Sequence, residues 1–232
     1  TNLAYFLAKN NLKYEDSQTL NLIDEVFEHI QYYLLKASVK LAKEYGKCEY
    51  FNETKYSKGI LPIDTYNKNV DLLVKREYKF DWEELRKDIV EYGLRNSTLT
   101  AIMPCESSSL TTNSTNGIEP PRAFITSKKS KQGVIRMVLP ELIKLKDKYT
   151  LAFDIKSNSC LINIQAVIQK WIDQAISSNH YYNPEHHKDG KVPISIIGND
   201  ILYSYKMGLK TLYYANTYDG KTDNIDSELD KI

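Results

Sequence analysis

Small hydroxyl residues gathered behind a chain stop are the first arrangement with chemical potential. Pro104 halts an alternating run, and Cys105, Glu106, Ser107, Ser108 and Ser109 follow at once, in the pattern of a helix's opening turn. The first amides of a helix have no intrahelical acceptor, so with the helix dipole and Ser hydroxyls they can hold a phosphate or a carboxylate. The plainer reading is a Ser-rich cap whose hydroxyls bind only their own backbone. Cys105 beside that cap could be an activated thiol, although no His and Asn are placed to complete a cysteine hydrolase. Tyr213 and Tyr214 are adjacent phenols. Neighbours in a regular strand face opposite ways, so the local expectation is one ring in the core and one at the surface. His186 and His187, between Pro184 and Gly190, read as loop residues with too few neighbouring ligands for a metal. Glu106 and Glu119 are either an acid or base or solvated turn carboxylates.

These groups depend on the elements around them. After Asp16 and Ser17, either of which can cap a helix, Leu20, Ile23, Phe27, Ile30, Leu34, Ala37 and Leu41 recur at spacings of three and four. The spacing predicts a long amphipathic helix with that stripe buried, closed by Gly46 in a left-handed conformation with Lys43 and Lys47 near its negative pole. Residues 49–69, polar and Tyr-rich with turn residues Asn52, Gly59 and Pro62, are expected to form an ordered connection with a short extended piece over 60–63. Asp81 and Glu84 have capping-box spacing for a helix burying Trp82, Leu85 and Ile89 and closed by Gly93. Over 97–103, Leu99, Ala101 and Met103 alternate with Thr98 and Thr100, as in a strand that ends at Pro104, and the helix after it is expected to run toward Asn113. Leu161, Ile164, Ile168, Trp171 and Ala175 mark a further buried helix. Pro193 opens another with Ile194, Ile197, Ile201 and Tyr205 along one face, ended by Gly208, and residues 210–214 read as a short strand. Helices interleaved with strands and no internal repeats indicate an α/β architecture.

Charge narrows the function classes. Lys and Arg number 31 against 30 Asp and Glu, a net +1 that gives no electrostatic footprint for DNA, RNA or an anionic membrane. The 232 residues, 42% hydrophobic, can bury one large core or two small ones. No stretch reaches the roughly 18 apolar residues of a membrane span, and no basic leader precedes a hydrophobic run, so a cytoplasmic protein is expected. Cys48, Cys105 and Cys160 are odd in number, without CxxC spacing or a nearby His ligand, which argues against a disulfide framework or a zinc site. The chain opens on Thr1 straight into apolar Leu3 to Leu7, which reads as a piece of a longer polypeptide. Residues 219–232 are polar and acidic and expected to be loose, leaving 1–218 as the folded part.

The block Trp82, Leu85 and Gly93-Leu94-Arg95-Asn96, continuing through Ser97-Thr98-Leu99 to Ala101-Ile102-Met103-Pro104, resembles the signature of the large subunit of ribonucleoside-diphosphate reductase. Five further segments resemble the aerobic, class Ia form of that subunit in the family order. They are residues 4–9, Ile30-Gln31-Tyr32-Tyr33-Leu34-Leu35-Lys36, Gly59-Ile60-Leu61-Pro62-Ile63-Asp64-Thr65-Tyr66, Asn116-Gly117-Ile118-Glu119-Pro120-Pro121-Arg122 and Lys210-Thr211-Leu212-Tyr213-Tyr214. The resemblance implies the second half of a ten-stranded α/β barrel plus C-terminal helices, not a complete domain alone. It implies substrate diphosphate binding at Cys105, Glu106, Ser107 and Ser108, where many relatives carry Ser or Thr in place of Cys105. Tyr213 and Tyr214 are implied to relay a radical from a small subunit holding a di-iron tyrosyl-radical centre, which requires the backbone to leave regular strand geometry so that the rings touch. Ile197, Ile201 and Tyr205 are implied to be shared between the core and the groove for that subunit's C-terminal tail.

The departures are as informative. The family's thiyl-radical cysteine, the cysteines oxidised in turnover and both allosteric nucleotide sites precede the part represented here, and its C-terminal cysteine pair is missing. The implied partners are therefore the N-terminal portion of the large subunit, the small subunit, a ribonucleoside diphosphate and thioredoxin or glutaredoxin, with no cofactor bound by this chain and no nucleic acid or membrane. A split large subunit and a portion of a longer one remain open alternatives. So does an idle remnant or assembly module that binds a partner but no substrate.

Overall fold

The computed structural model describes residues 1–130 and 133–220. A short helix α1, Leu3–Lys9, leads into the 29-residue α2, Ser17–Tyr45. Asp16 stands at the start of α2 in an extended conformation, but its carboxylate accepts from the Lys13 amide rather than from the helix. Gly46 ends α2 at φ +83° and ψ 155°, a positive-φ turn that is not the left-handed helical state expected. The buried face differs from the predicted stripe beyond its first turns. Ile23 is buried and Leu20 and Phe27 partly so, but Ile30 is 42% exposed, and Leu34, Ala37 and Leu41 also face outward. The row that goes in is Gln31, Leu35, Val39 and Ala42, with Asp24 and Glu28 fully buried ahead of it. Both rows have helical spacing, so hydropathy alone could not choose between them. Packing of α4 and α7 on α2 decides.

Residues 49–69 are ordered through two 3₁₀ turns, Phe51–Glu53 and Lys55–Lys58, and the helical turn α3, Pro62–Thr65. The extended piece expected over 60–63 is therefore helical from Pro62, because the proline's fixed φ suits a first helical position and the Asp64 carboxylate closes back on the Leu61 amide at 2.7 Å. Helix α4, Trp82–Tyr92, follows its predicted signals. The Asp81 carboxylate accepts the Glu84 amide at 2.8 Å, and Trp82, Leu85 and Ile89 are buried together with Leu35, Val39 and Trp171.

Residues 97–103 are extended but form no regular strand. They meet the chain near Ile176 through one parallel bridge from Ile102, whose amide donates to Ala175 O and whose carbonyl accepts from Ser177. Ile102 packs on the core while Ala101 and Met103 are exposed, so the predicted apolar face is inverted after Leu99. The short helix α5, Glu106–Thr111, comes next, then an antiparallel hairpin of β1, Ile125–Ser130, and β2, Gly133–Val138. The one-turn α6, Leu142–Leu145, leads to α7, Ser159–Gln169, which buries Leu161, Ile164 and Ile168. Helix α7 stops before Trp171 and Ala175, contrary to the predicted length. The turn after it is pinned by the Asp173 carboxylate, which accepts the amides of Leu99 and Thr100 at 2.8 and 3.1 Å, so Ala175 already belongs to the parallel segment.

Strand β3, Ser178–Tyr182, is buried along its whole length, as suits a parallel strand covered on both faces. Helix α8, Ile194–Lys206, begins one residue after Pro193 and ends before Gly208, whose φ of +83° and approach to Asn67, where an added Cβ would lie 2.4 Å from the Asn67 Cβ, allow only glycine. Strand β4, Leu212–Thr217, then pairs parallel with β3. It starts two residues later than predicted and runs three residues further. Of the tail expected over 219–232, residues 221–232 lie outside the described part.

Candidate functional site

The pairing of β3 with β4 contains the feature on which the site turns. Ser178 pairs with Leu212, but His180, two residues on, pairs with Ala215, three residues on, so β4 holds one extra residue opposite Asn179. Such a bulge bends the strand and cancels the alternation of side chains. Tyr213 and Tyr214 consequently lie ring against ring, with centroids 4.1 Å apart and planes tilted by 51°. Both are about half exposed, at 54% and 56%. The expectation of one core ring and one surface ring is overturned, and the departure from strand geometry that the family resemblance requires is present. The Tyr214 phenol raises the pKa of its neighbour Tyr213 above the ordinary phenol value.

A bulge removes a ladder partner from the strand amide it displaces, and here a side chain takes over. Asn179 Oδ1 accepts the Tyr214 N–H at 3.0 Å. The other end of that amide donates to Glu119 Oε1 at 2.6 Å, and the Tyr181 hydroxyl donates to Glu119 Oε2. Glu119 is thus no solvated turn carboxylate. Burial pushes its pKa up, although the Tyr181 and Asn179 hydrogen bonds oppose the shift. Sequence reasoning named Glu119 but missed its partners, because Asn179 and Tyr181 lie 60 and 62 residues away and carry no motif.

Glu106, Glu119, Asn179 and Tyr214 line one cleft of about 380 Å³, which also contains Pro104 and Arg122. Cys105 stands at the start of α5 with its amide given to Asn116 Oδ1 at 2.6 Å and its thiol directed at Met103 O. Ser107 and Ser108 occupy the opening turn, where amides have no intrahelical acceptor. The Ser108 hydroxyl bonds back to Cys105 O at 3.4 Å, as the plainer cap reading expects. Of the loop, Pro104, Glu106 and Ser109 line this opening, and of the tyrosine pair Tyr214 does, although loop and pair lie 104 or more residues apart in sequence; Cys105, Ser107, Ser108 and Tyr213 are not among its lining residues.

Ile197, Ile201 and Tyr205 lie on a different surface. Helix α8 buries Asp200 and Ser204 instead, so Ile201 is 46% and Tyr205 82% exposed, with Ile197 at the margin. Asp200 goes inward because Asn158 Nδ2 meets its carboxylate at 2.9 Å, and Ser204 because its hydroxyl bonds to Asp200 O at 2.8 Å. Any sharing of Ile201 and Tyr205 with the core is thereby corrected, and they form an outward row with Ile194 and Leu202. His186 and His187 sit in a short turn after β3. Among the described residues no group of three or more His, Cys, Asp or Glu is placed to hold a metal. The three cysteines are unbridged, and burial pushes the Cys160 thiol up to about 12. No helix among the described residues is long and apolar enough to cross a membrane.

An α/β fold with parallel strands, a helix opening onto a cleft and two tyrosines in contact at a bulge defines the class of site. The family described as ribonucleotide reductase, barrel domain, matches residues 1–215, and the chain belongs to that family. It is 55% identical over 99% of its length to the ribonucleoside-diphosphate reductase subunit alpha of Haemophilus influenzae. It is 49% identical over its full length to the ribonucleoside-diphosphate reductase 1 subunit alpha of Escherichia coli, and 47% identical to the ribonucleoside-diphosphate reductase subunit alpha of enterobacteria phage T4. The chain spans about 30% of the length of these relatives.

Proposed function

We propose that this chain acts as the C-terminal part of the catalytic barrel of a ribonucleoside-diphosphate reductase large subunit, and that its parallel segments belong to the second half of a closed ten-stranded barrel. Its residues contribute two operations to the reduction of a ribonucleoside diphosphate to the 2′-deoxy product. The opening turn of α5 holds the substrate's diphosphate, with the amides of Ser107 and Ser108 and a serine hydroxyl as donors beside Cys105 and Glu106. Tyr213 and Tyr214 carry an oxidising equivalent. When one phenol gives an electron and its proton to a neighbouring phenoxyl, the neighbour becomes a phenol and the donor a phenoxyl, so atoms and electrons balance at every hop. Such a hop requires contact, and the observation that carries the reading is the bulge that holds the two rings 4.1 Å apart beside the cleft containing Glu106.

The oxidising equivalent originates outside this chain, in the di-iron tyrosyl-radical centre of a small subunit. The exposed α8 row of Ile201 and Tyr205, with Ile197, suits the groove for that subunit's tail. The catalytic cysteines come from the N-terminal portion of the large subunit, and thioredoxin or glutaredoxin supplies the reducing electrons. No cofactor is held by the chain itself. The test combines the chain with its N-terminal portion, the small subunit, a ribonucleoside diphosphate, an effector and reductant, and measures deoxynucleotide. Product is expected. Complete assembly without product would favour a partner-binding module that takes no substrate.

A further inference from the structure

A bulged strand edge is a weak place to store a precise ring contact, since the extra residue has lost its ladder partner and regular pairing competes with it. In β4 that competition is decided by two side chains from elsewhere in the chain. We propose that Asn179, held by Glu119, is the positioning residue that locks the bulge and thereby keeps Tyr213 and Tyr214 in contact. The inference rests on the relay reading of the tyrosine pair given above.

Three observations carry it. Asn179 is the residue that faces the two-for-one step, and its side-chain carbonyl, not a backbone carbonyl, accepts the Tyr214 amide. An asparagine amide can be turned either way, and only one orientation satisfies Tyr214. Glu119 selects that orientation, because a carboxylate accepts and cannot donate, so it captures Nδ2 and leaves Oδ1 directed at β4. Glu119 is in turn fixed through its second oxygen by the Tyr181 hydroxyl. Asn179 is itself buried, so water does not readily replace the Tyr214 bond. The route Tyr181, Glu119, Asn179, Tyr214 thus joins the interior of β3 to the backbone between the two phenols. Neither Glu119 nor Asn179 exchanges an electron or proton with the pair in this role.

The test uses the complete large subunit carrying this chain, assembled with its small subunit. In the wild type the Tyr214 amide should be protected from hydrogen exchange, and the two rings should give a near-ultraviolet dichroism signal that Tyr213→Phe removes. In Asn179→Ala, exchange at Tyr214 should quicken by about tenfold, the value expected for losing one such bond. The paired-ring signal should disappear, and turnover should fall by a similar or larger factor with substrate affinity unchanged. Glu119→Leu should reproduce all three effects, whereas Glu119→Gln, which can still accept Nδ2, should restore the ring signal and most of the turnover. An unprotected Tyr214 amide in the wild type would overturn the proposal without any variant. So would an Asn179→Ala enzyme with unchanged exchange and ring signal. The relay reading has its own arm: if Tyr213→Phe and Tyr214→Phe turn over normally, the relay falls, while exchange and dichroism still decide whether Asn179 holds the bulge.

Discussion

Two polar regions of this protein use similar groups for opposite purposes. Between α2 and α7, Asp24 and Glu28 are fully buried and answered on every side. Arg76 Nε lies 2.6 Å from Asp24 and its Nη1 2.5 Å from Glu28, Lys170 reaches Asp24 at 3.2 Å, and the indoles of Trp171 and Trp82 donate to Asp24 and Glu28 at 2.8 and 3.1 Å. Two acids meet two bases in this seam, and the charges answer one another as ion pairs. In the cleft, Glu119 has amide and phenol partners and no ion pair among the described residues, Tyr214 is half exposed with the Tyr213 ring against it, and Glu106 and Ser109 of α5 line the same space. The seam locks two helices together, whereas the cleft holds groups in position and leaves them accessible. Burial of charge is therefore a poor guide to function here, and accessible polarity held by buried supports is a better one.

The largest expected effect tests the cleft. Tyr213→Phe or Tyr214→Phe keeps the ring and removes the phenol, so turnover of the assembled enzyme should be almost completely lost, while substrate affinity persists and stability changes by about 1 kcal/mol or less. Turnover and melting temperature measured side by side check this, and a Phe variant with substantial turnover would return that tyrosine to packing. Asp24→Ala should do the reverse. Leaving Lys170 and Arg76 without their buried partner should cost about 3–5 kcal/mol in denaturant unfolding. Substrate affinity of the enzyme that remains folded should be unaltered, and a cost below about 1 kcal/mol would show that the seam is no stronger than a surface pair.

Smaller effects separate the two regions further. Ser107→Ala combined with Ser108→Ala should weaken substrate binding by about 1–3 kcal/mol with the melting temperature unchanged, since backbone amides remain and only hydroxyls are lost. Unaltered affinity would reduce those hydroxyls to caps of α5. The smallest effects are pH slopes of opposite sign. Burial lowers the pKa of His180, so the folded state favours the neutral ring, and stability present at neutral pH should fall as pH drops below about 6.5, less so in His180→Leu. Burial raises that of Glu119, so its contribution should be lost as pH rises above the ordinary carboxylate value of about 4.3, and Glu119→Gln should remove that slope. Thermal unfolding across both windows would check the two signs.

Local signals alone determined a good deal of this molecule. Asp81 with Glu84 starts α4 and Gly93 closes it, Pro193 and Gly208 bracket α8, and Pro104 separates an extended run from a helix start, because capping, proline and glycine act within a few residues of where they stand. The ordered family motifs were likewise legible, and with them the loop and the tyrosine pair as candidates. Tertiary structure decided which of two equally spaced rows of α2 faces inward, why α7 stops short of Trp171, and which face of α8 is open. Each of those depends on partners far along the chain, such as Trp82 and Trp171 for Glu28 and Asp24, or Asn158 for Asp200. The bulge is the clearest case. Nothing within 212–217 marks Tyr213 and Tyr214 for the same side of the strand. The extra residue is accommodated by Asn179 across the strand pair and by Glu119 behind it, and a constraint that spans such separations is invisible to any local pattern.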